Sequence, residues 1–271
     1  MPTFALKLLS VITECNFAFI GVLHKFKLLT LILEYYDCIF SHNGVVGNPR
    51  LNTQTVSIVR SIVEYDEMPL EELNQSNIIT KTNNLINHHI SNQQDWCLDI
   101  VLDIIYLILQ STFKRMQQAK NDSVTSSVID KDHGDVSSIA KLLKITEGLS
   151  DNFETCMELL SSPDVTLAEK SIQVIFVLLQ LFGIRRLPDL RQLYFIEEHM
   201  RHLVDAIKID KPQIRRKALK CILFAFDQED HPLMLTDQQK AGILKVVEPL
   251  LKSSDKSINI SANKIMTLLG N

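Results

Sequence analysis

At 271 residues and roughly 150 per domain, the chain has room for two domains or one elongated array. Hydrophobic residues at 46% and charged residues at 22% exclude a disordered chain, and 28 Lys+Arg against 32 Asp+Glu give a net charge of −4, with no global basic field for nucleic acid or an anionic membrane. Eight Gly and eight Pro are few for the turns of a β-rich fold, so the composition points to helices joined by short polar connections.

Apolar residues recur at helical spacing over residues 3–14, 26–42, 50–65, 70–90 in pieces, 94–117, 138–162, 165–182, 188–208, 212–227, 236–252 and 255–269, which predicts an all-α protein. Helix punctuation separates them: Asn43-Gly44, Gly47-Asn-Pro49, Met68-Pro69, Ser162-Pro163, Leu187-Pro188, Lys211-Pro212, His231-Pro232 and Thr236-Asp237. Residues 118–136 are polar and poor in aromatics, and read as a flexible loop between an N-terminal set of repeats (1–117) and a C-terminal set (137–271).

The last three long helices share one frame. A large aliphatic (Leu167, Ile214, Ile258) stands four residues before a small one (Ser171, Ala218, Ala262), and apolar residues follow at plus four and plus seven. The small residues lie 47 and 44 apart, and their size allows close helix approach. The theme extends more faintly to Ala5 and Ser57. A period in the mid-forties predicts an armadillo/HEAT-like right-handed α-solenoid of about five repeats, in which no repeat buries its apolar face alone. Phe4, Leu8 and Val11 on the first helix have no preceding repeat to cover them, so the chain reads as a fragment, with Gly270 as a C-cap near a true terminus.

Five cysteines, odd in number and without a C-x-x-C, read as free buried thiols of a reducing, cytoplasmic setting. The apolar start is broken by Lys7 and ended by Glu14, so it reads as a helix and not a signal peptide. The longest apolar runs are too short to span a bilayer, and no membrane contact is predicted.

Chemistry is sparse. There is no Walker A and no set of kinase motifs, and Asp205-Ala-Ile-Lys208 matches a kinase lysine motif only in letters. His88-His89 diverge by about 100° on a helix, and the acids and His133 of the polar loop form no ligand pattern. His199 and His202, three apart beside Glu197 and Glu198, read as a solvated surface with Arg201. No catalytic residue, cofactor or metal is predicted. The remaining signal is charge: ten Lys/Arg against five acids between Gly183 and Lys220 leave +5 there and −9 elsewhere. Arg216 and Lys220 stand four apart opposite the apolar stripe, and Lys264 takes the place of Lys220 in the next repeat. Third helices of armadillo repeats line the concave surface, so the stripe reads either as a contact for an acidic protein partner or as an ordinary solvated face. Nucleic acid fits poorly because aromatic interleaving is absent.

Pro2-Thr-Phe-Ala-Leu-Lys-Leu-Leu-Ser-Val-Ile-Thr-Glu-Cys-Asn16 resembles a segment near the C-terminus of the Unc-51-like kinase four family, the pseudokinases related to Fused, and looser similarity runs through Lys27–Glu34, Asn52–Val59, Leu98–Phe113 and Ile265–Gly270. The resemblance implies the armadillo-type tail of such a protein without its kinase head: a non-catalytic scaffold whose partners are microtubules or a Fused-like kinase, at the cytoskeleton or cilium. ATP binding does not carry over, since the residues for it are absent. The alternatives are a general armadillo adaptor for an unrelated partner, or a fragment of a nucleotide-binding serine/threonine kinase-like protein whose head is missing.

Overall fold

The computed structural model describes residues 3–16, 18–25, 31–32, 34–35, 49–65, 78–92, 97–125, 152–185, 195–226 and 235–270, and among them there is no strand. The chain divides into two compact units, Met1–Leu149 and Ser150–Asn271.

The first unit holds α1 (Thr3–Cys15), α2 (Ala18–Lys25), α3 (Pro49–Glu64), α4 (Ile78–Asn92) and α5 (Leu98–Thr125). Helix α3 packs between α1 and α5, and α4 packs on α5. Val56, Ile58, Val59 and Ile62 of α3 and Val101, Leu102, Ile104, Ile105 and Leu109 of α5 are fully buried, each contributing about 1.5–3 kcal/mol by leaving water. Arg60 ties the two helices, its Nε donating to Asp103 at 3.3 Å while its guanidinium meets Glu64 at 3.1 Å. Helix α1 turns Leu6, Ser10 and Thr13 inward and leaves Phe4, Leu8 and Val11 outside at 86%, 62% and 48% exposure.

Two expectations shift here. Helix α5 runs to Thr125, eight residues into the stretch read as a loop, because Gln117-Gln-Ala-Lys120 has good intrinsic helix propensity despite its polarity; the rest of that stretch lies outside the described residues. The small-residue theme does not reach the first unit: Ala5 is exposed and Ser57 half-buried. Most of the predicted helix 26–42 also lies outside the described residues, as do 138–151 and 186–194.

The described residues of the second unit form three helical hairpins. Helix α6 (Asn152–Leu159) leads to α7 (Val165–Arg185), α8 (Glu197–Lys208) to α9 (Pro212–Phe226), and α10 (Asp237–Val247), continued by a 3₁₀ turn at Glu248–Lys252, to α11 (Lys256–Gly270). The first helices stack as α6, α8, α10 and the second helices as α7, α9, α11, so two layers face each other. Ser171, Ala218 and Ala262 are fully buried at the predicted close approach, beside Leu167, Ile214 and Ile258. Thr236 and Gln239 form a capping box at the start of α10, and Pro249 ends that helix early by tightening it into the 3₁₀ turn.

Of the described cysteines, Cys97, Cys156 and Cys221 are buried, and Cys15 departs from the expectation by being exposed, while Cys38 lies outside the described residues. Burial pushes the Cys156 thiol up to about 12 and raises Cys97 and Cys221 as well, so these three are inert packing groups. Among the described residues no helix is long and apolar enough to cross a membrane, and no cluster of His, Cys, Asp or Glu is placed to hold a metal ion.

Candidate protein-binding surface

The cations of the basic stretch divide by what they touch. Arg215 reaches back to the end of α8, where Nε donates to the Ile207 carbonyl at 2.9 Å and Nη2 to that of Ile209 at 3.1 Å. Carbonyls at a helix C-terminus have no partner inside the helix, and a cation there also meets the negative end of the dipole. Lys211 is ion-paired with Glu169 of α7. Lys208 meets Asp205 at 2.6 Å and Arg201 meets Glu198 at 3.2 Å. Among the described residues, these four cations of the basic stretch are therefore engaged within the second unit, and the side chains of Arg185, Arg186 and Arg191 lie outside the described residues.

Arg216, the first of the three predicted contact residues, is engaged too. Its Nε donates to Asp255 Oδ2 at 2.7 Å, joining α9 to the start of α11. The other oxygen of Asp255 accepts the Ser257 and Ile258 amides at 2.9 and 3.3 Å, so one carboxylate caps α11 and holds Arg216. Partial desolvation pushes that carboxyl up, but the Ile258 amide, Arg216 and the Ser257 amide together outweigh it and hold the group below its ordinary value.

Lys220 and Lys264 differ from the rest. They line one groove between α9 and α11, of about 620 Å³, together with Leu223, Phe224, Asn263, Thr267 and Leu268. No acid lines it. The Lys220 ammonium stands 5.7 Å from the centre of the Phe176 ring, within cation–π range, which orients it over α7. Nearby Lys217 is half-buried; burial holds its ammonium below the usual lysine value, and Lys220 and Lys170 push the same way against Cys221 and Glu169. Leu268 is 51% exposed at the groove edge. The structure thus brings Lys220 and Lys264 together and leaves Arg216 one turn away at a joint.

The apolar part of this groove was not singled out from sequence, although a signal was present. Leu223 and Phe224 follow Lys220 by three and four residues, as Thr267 and Leu268 follow Lys264. A second groove, about 490 Å³ between α8 and α10, carries Glu197, Glu198 and Arg201 over Met200, Val204 and Ile243, and its charges are mixed.

The histidines correct the sequence reading. His199 and His202 are 6% and 8% exposed, not solvated. His199 stands edge-on to Phe153 with ring centres 5.7 Å apart, and His202 Nδ1 lies 2.7 Å from the Ser161 hydroxyl. Burial, aided by Arg201, lowers the His202 pKa, so the ring is held neutral as part of the α6–α8 packing. His133 and the acids of the polar loop lie outside the described residues.

No known family profile matches the chain. Serine/threonine-protein kinase ULK4 of Mus musculus is 27% identical over 195 residues, covering 68% of this chain and 14% of that protein. The chain therefore corresponds to about one seventh of that relative's length. Two solved structures resemble the fold at a TM-score of 0.58. One is an engineered protein, 10% identical, with 99% of this chain and 90% of that one covered. The other is a designed armadillo repeat protein in complex with the peptide (KR)4, 12% identical, with 98% and 91% covered. The fold is an all-α, armadillo-type solenoid.

Proposed function

We propose that this chain is a non-catalytic scaffold module that holds an acidic segment of a partner protein on the layer of second helices, in the tail of a kinase-like protein serving microtubule and ciliary organisation. The observation that carries the binding role is the groove between α9 and α11, where two lysines from consecutive repeats flank apolar surface with no acid among the described lining residues. Opposite charge steers a partner to such a surface, and the apolar area holds it. The fold supports a protein ligand because a designed armadillo protein of the same architecture carries a bound peptide, of opposite charge to the one proposed here. The similarity to mouse serine/threonine-protein kinase ULK4 supports the placement in a kinase-like protein, and the cytoskeletal setting, with microtubules or a Fused-like kinase as partner, is what the resemblance of Pro2–Asn16 to the Unc-51-like kinase four family implies. The proposed site is cytoplasmic, at the cytoskeleton or cilium.

Lys220 and Lys264 are the proposed contacts, with Arg216 in a supporting place. Reversing Arg216 along with them would break the bond to Asp255 and lower stability, so the clean variant is Lys220→Glu/Lys264→Glu. The test is cosedimentation of the purified chain with taxol-stabilised microtubules, with and without their acidic tails, across a salt series. Pelleting that needs the tails, weakens with salt and falls in the double variant, with an unchanged melting temperature, is the expected result. Measurable nucleotide affinity of the purified chain would instead favour the kinase-fragment alternative.

A further inference from the structure

We infer that the outer face of α1 pairs with the same face of a second copy of this chain, the two helices running antiparallel about a two-fold axis. This surface lies in the first unit and is independent of the groove between α9 and α11.

Phe4, Leu8, Val11 and Cys15 follow one another at steps of four, three and four residues, the spacing of a coiled-coil seam. All four are exposed, Phe4 most of all. The opposite side of the helix, with Leu6, Ser10 and Thr13, is the one buried where α1 packs on α3. Helix α1 thus has one face that serves its own unit and a second, apolar face turned to solvent. Helix α11 offers a contrast: its exposed Ile260 and Leu268 are eight residues apart, with exposed Asn263, Lys264 and Thr267 around them, and make no seam.

Charge selects a second copy as the occupant. Exposed Lys7 and Glu14 flank the seam on one side, and Ala5 and Ile12 flank it on the other. Glu14 Oε1 accepts from the Ser10 hydroxyl at 3.2 Å, which holds the carboxylate along its flank. In an antiparallel pair Leu8 faces Val11 of the second copy, and Phe4 faces its Cys15. That register brings Lys7 beside Glu14 of the second copy and Glu14 beside its Lys7, while Ala5 meets Ile12 on the other flank. A two-fold interface makes every contact twice, so it requires a self-complementary surface of this kind. A parallel pair would set Lys7 against Ile12 and leave Glu14 without a basic partner. The seam is short of the about 800 Å² per partner of a standard interface, so the pairing depends on concentration.

The experiment is analytical ultracentrifugation of the whole chain under reducing conditions, from about 10 to 500 μM. A monomer–dimer equilibrium is expected. Val11→Asp should abolish it without lowering the melting temperature of the dilute chain, because Val11 lies outside the core. Lys7→Glu should weaken the dimer about tenfold and Glu14→Lys by as much, and mixing these two variants should restore it, since one flank is then all acidic and the other all basic. Orientation is read by cross-linking. Under mild oxidation Phe4→Cys should link to Cys15 of the second copy, as peptide mapping would show. The unaltered chain should form no link between its two copies of Cys15, which lie about 16 Å apart along the pair. A monomer at every concentration, a dimer indifferent to Val11→Asp, or a Cys15-to-Cys15 link in the unaltered chain overturns the inference.

Discussion

The joint between α7 and α9 and the joint between α9 and α11 use the same two positions of the repeat with their charges exchanged. In the first, Glu169 on the second helix meets Lys211 just before the next second helix; in the second, Arg216 meets Asp255. Glu169 and Arg216 are 47 apart and Lys211 and Asp255 are 44 apart, the repeat's own spacings. Stacking geometry thus fixes where a bridge forms, and its sign is free to alternate. At the third equivalent position stands Ile260, uncharged and 57% exposed. The two joints are nonetheless unequal, because Asp255 also caps α11 whereas Lys211, an acceptor-free cation, cannot cap α9.

The sharpest way to break both joints together is Ile222→Ala on α9, buried between its neighbours. It should cost about 2–5 kcal/mol in chemical denaturation, with both joints loosening in hydrogen exchange. Filling the close approach by Ala218→Leu should cost about 1–3 kcal/mol by the same assay. At the matching place in α7 the Ser171 hydroxyl is buried without a hydrogen-bond partner, so Ser171→Ala should raise stability by about 1 kcal/mol; a loss would show that the hydroxyl is used.

Charge exchange separates the joints. Lys211→Glu should cost at most about 1 kcal/mol, and adding Glu169→Lys should restore it. The corresponding exchange of Arg216 and Asp255 should fail to restore the melting temperature, since the cap is lost with the carboxylate.

Acid titration gives the smallest effects. The Asp255 pKa is lowered in the fold, so its contribution is present above the unfolded carboxylate value near 4 and fades as pH falls through the folded value. The His202 pKa is also lowered, so the unfolded chain takes up the proton first; that contribution is present above about 6.5 and is lost as pH falls below it. Melting curves of His202→Gln from pH 7 to 5 should be flatter than those of the unaltered chain.

Much of the second unit was legible because its repeat frame is a statement about burial. The positions at Ser171, Ala218 and Ala262 are small for the reason inferred, and the lysines at 220 and 264 share a groove because they share a register. The histidines were misread by ranking residue type above period. His199, His202, Leu203 and Ala206 follow the buried face of α8, and the spacing placed both rings inside. Arg216 could not be resolved from its own helix, since its partner lies 39 residues away and is brought near only by stacking. The end of α5 is not legible in the sequence because residues 118–125 are polar like a loop while their propensity favours continuing the helix.

The alternating bridges carry a consequence for how such an array can grow. Each of the first two hairpins holds the same sign at both of its positions: Asp164 and Glu169 in one, Lys211 and Arg216 in the other. Tandem duplication of the α8–α9 hairpin would set Arg216 of one copy against Lys211 of the next, and duplication of α6–α7 would set Glu169 against Asp164. Single-unit copying is thereby penalised by like charge, while insertion of a plus–minus pair of hairpins after α7 leaves every junction matched.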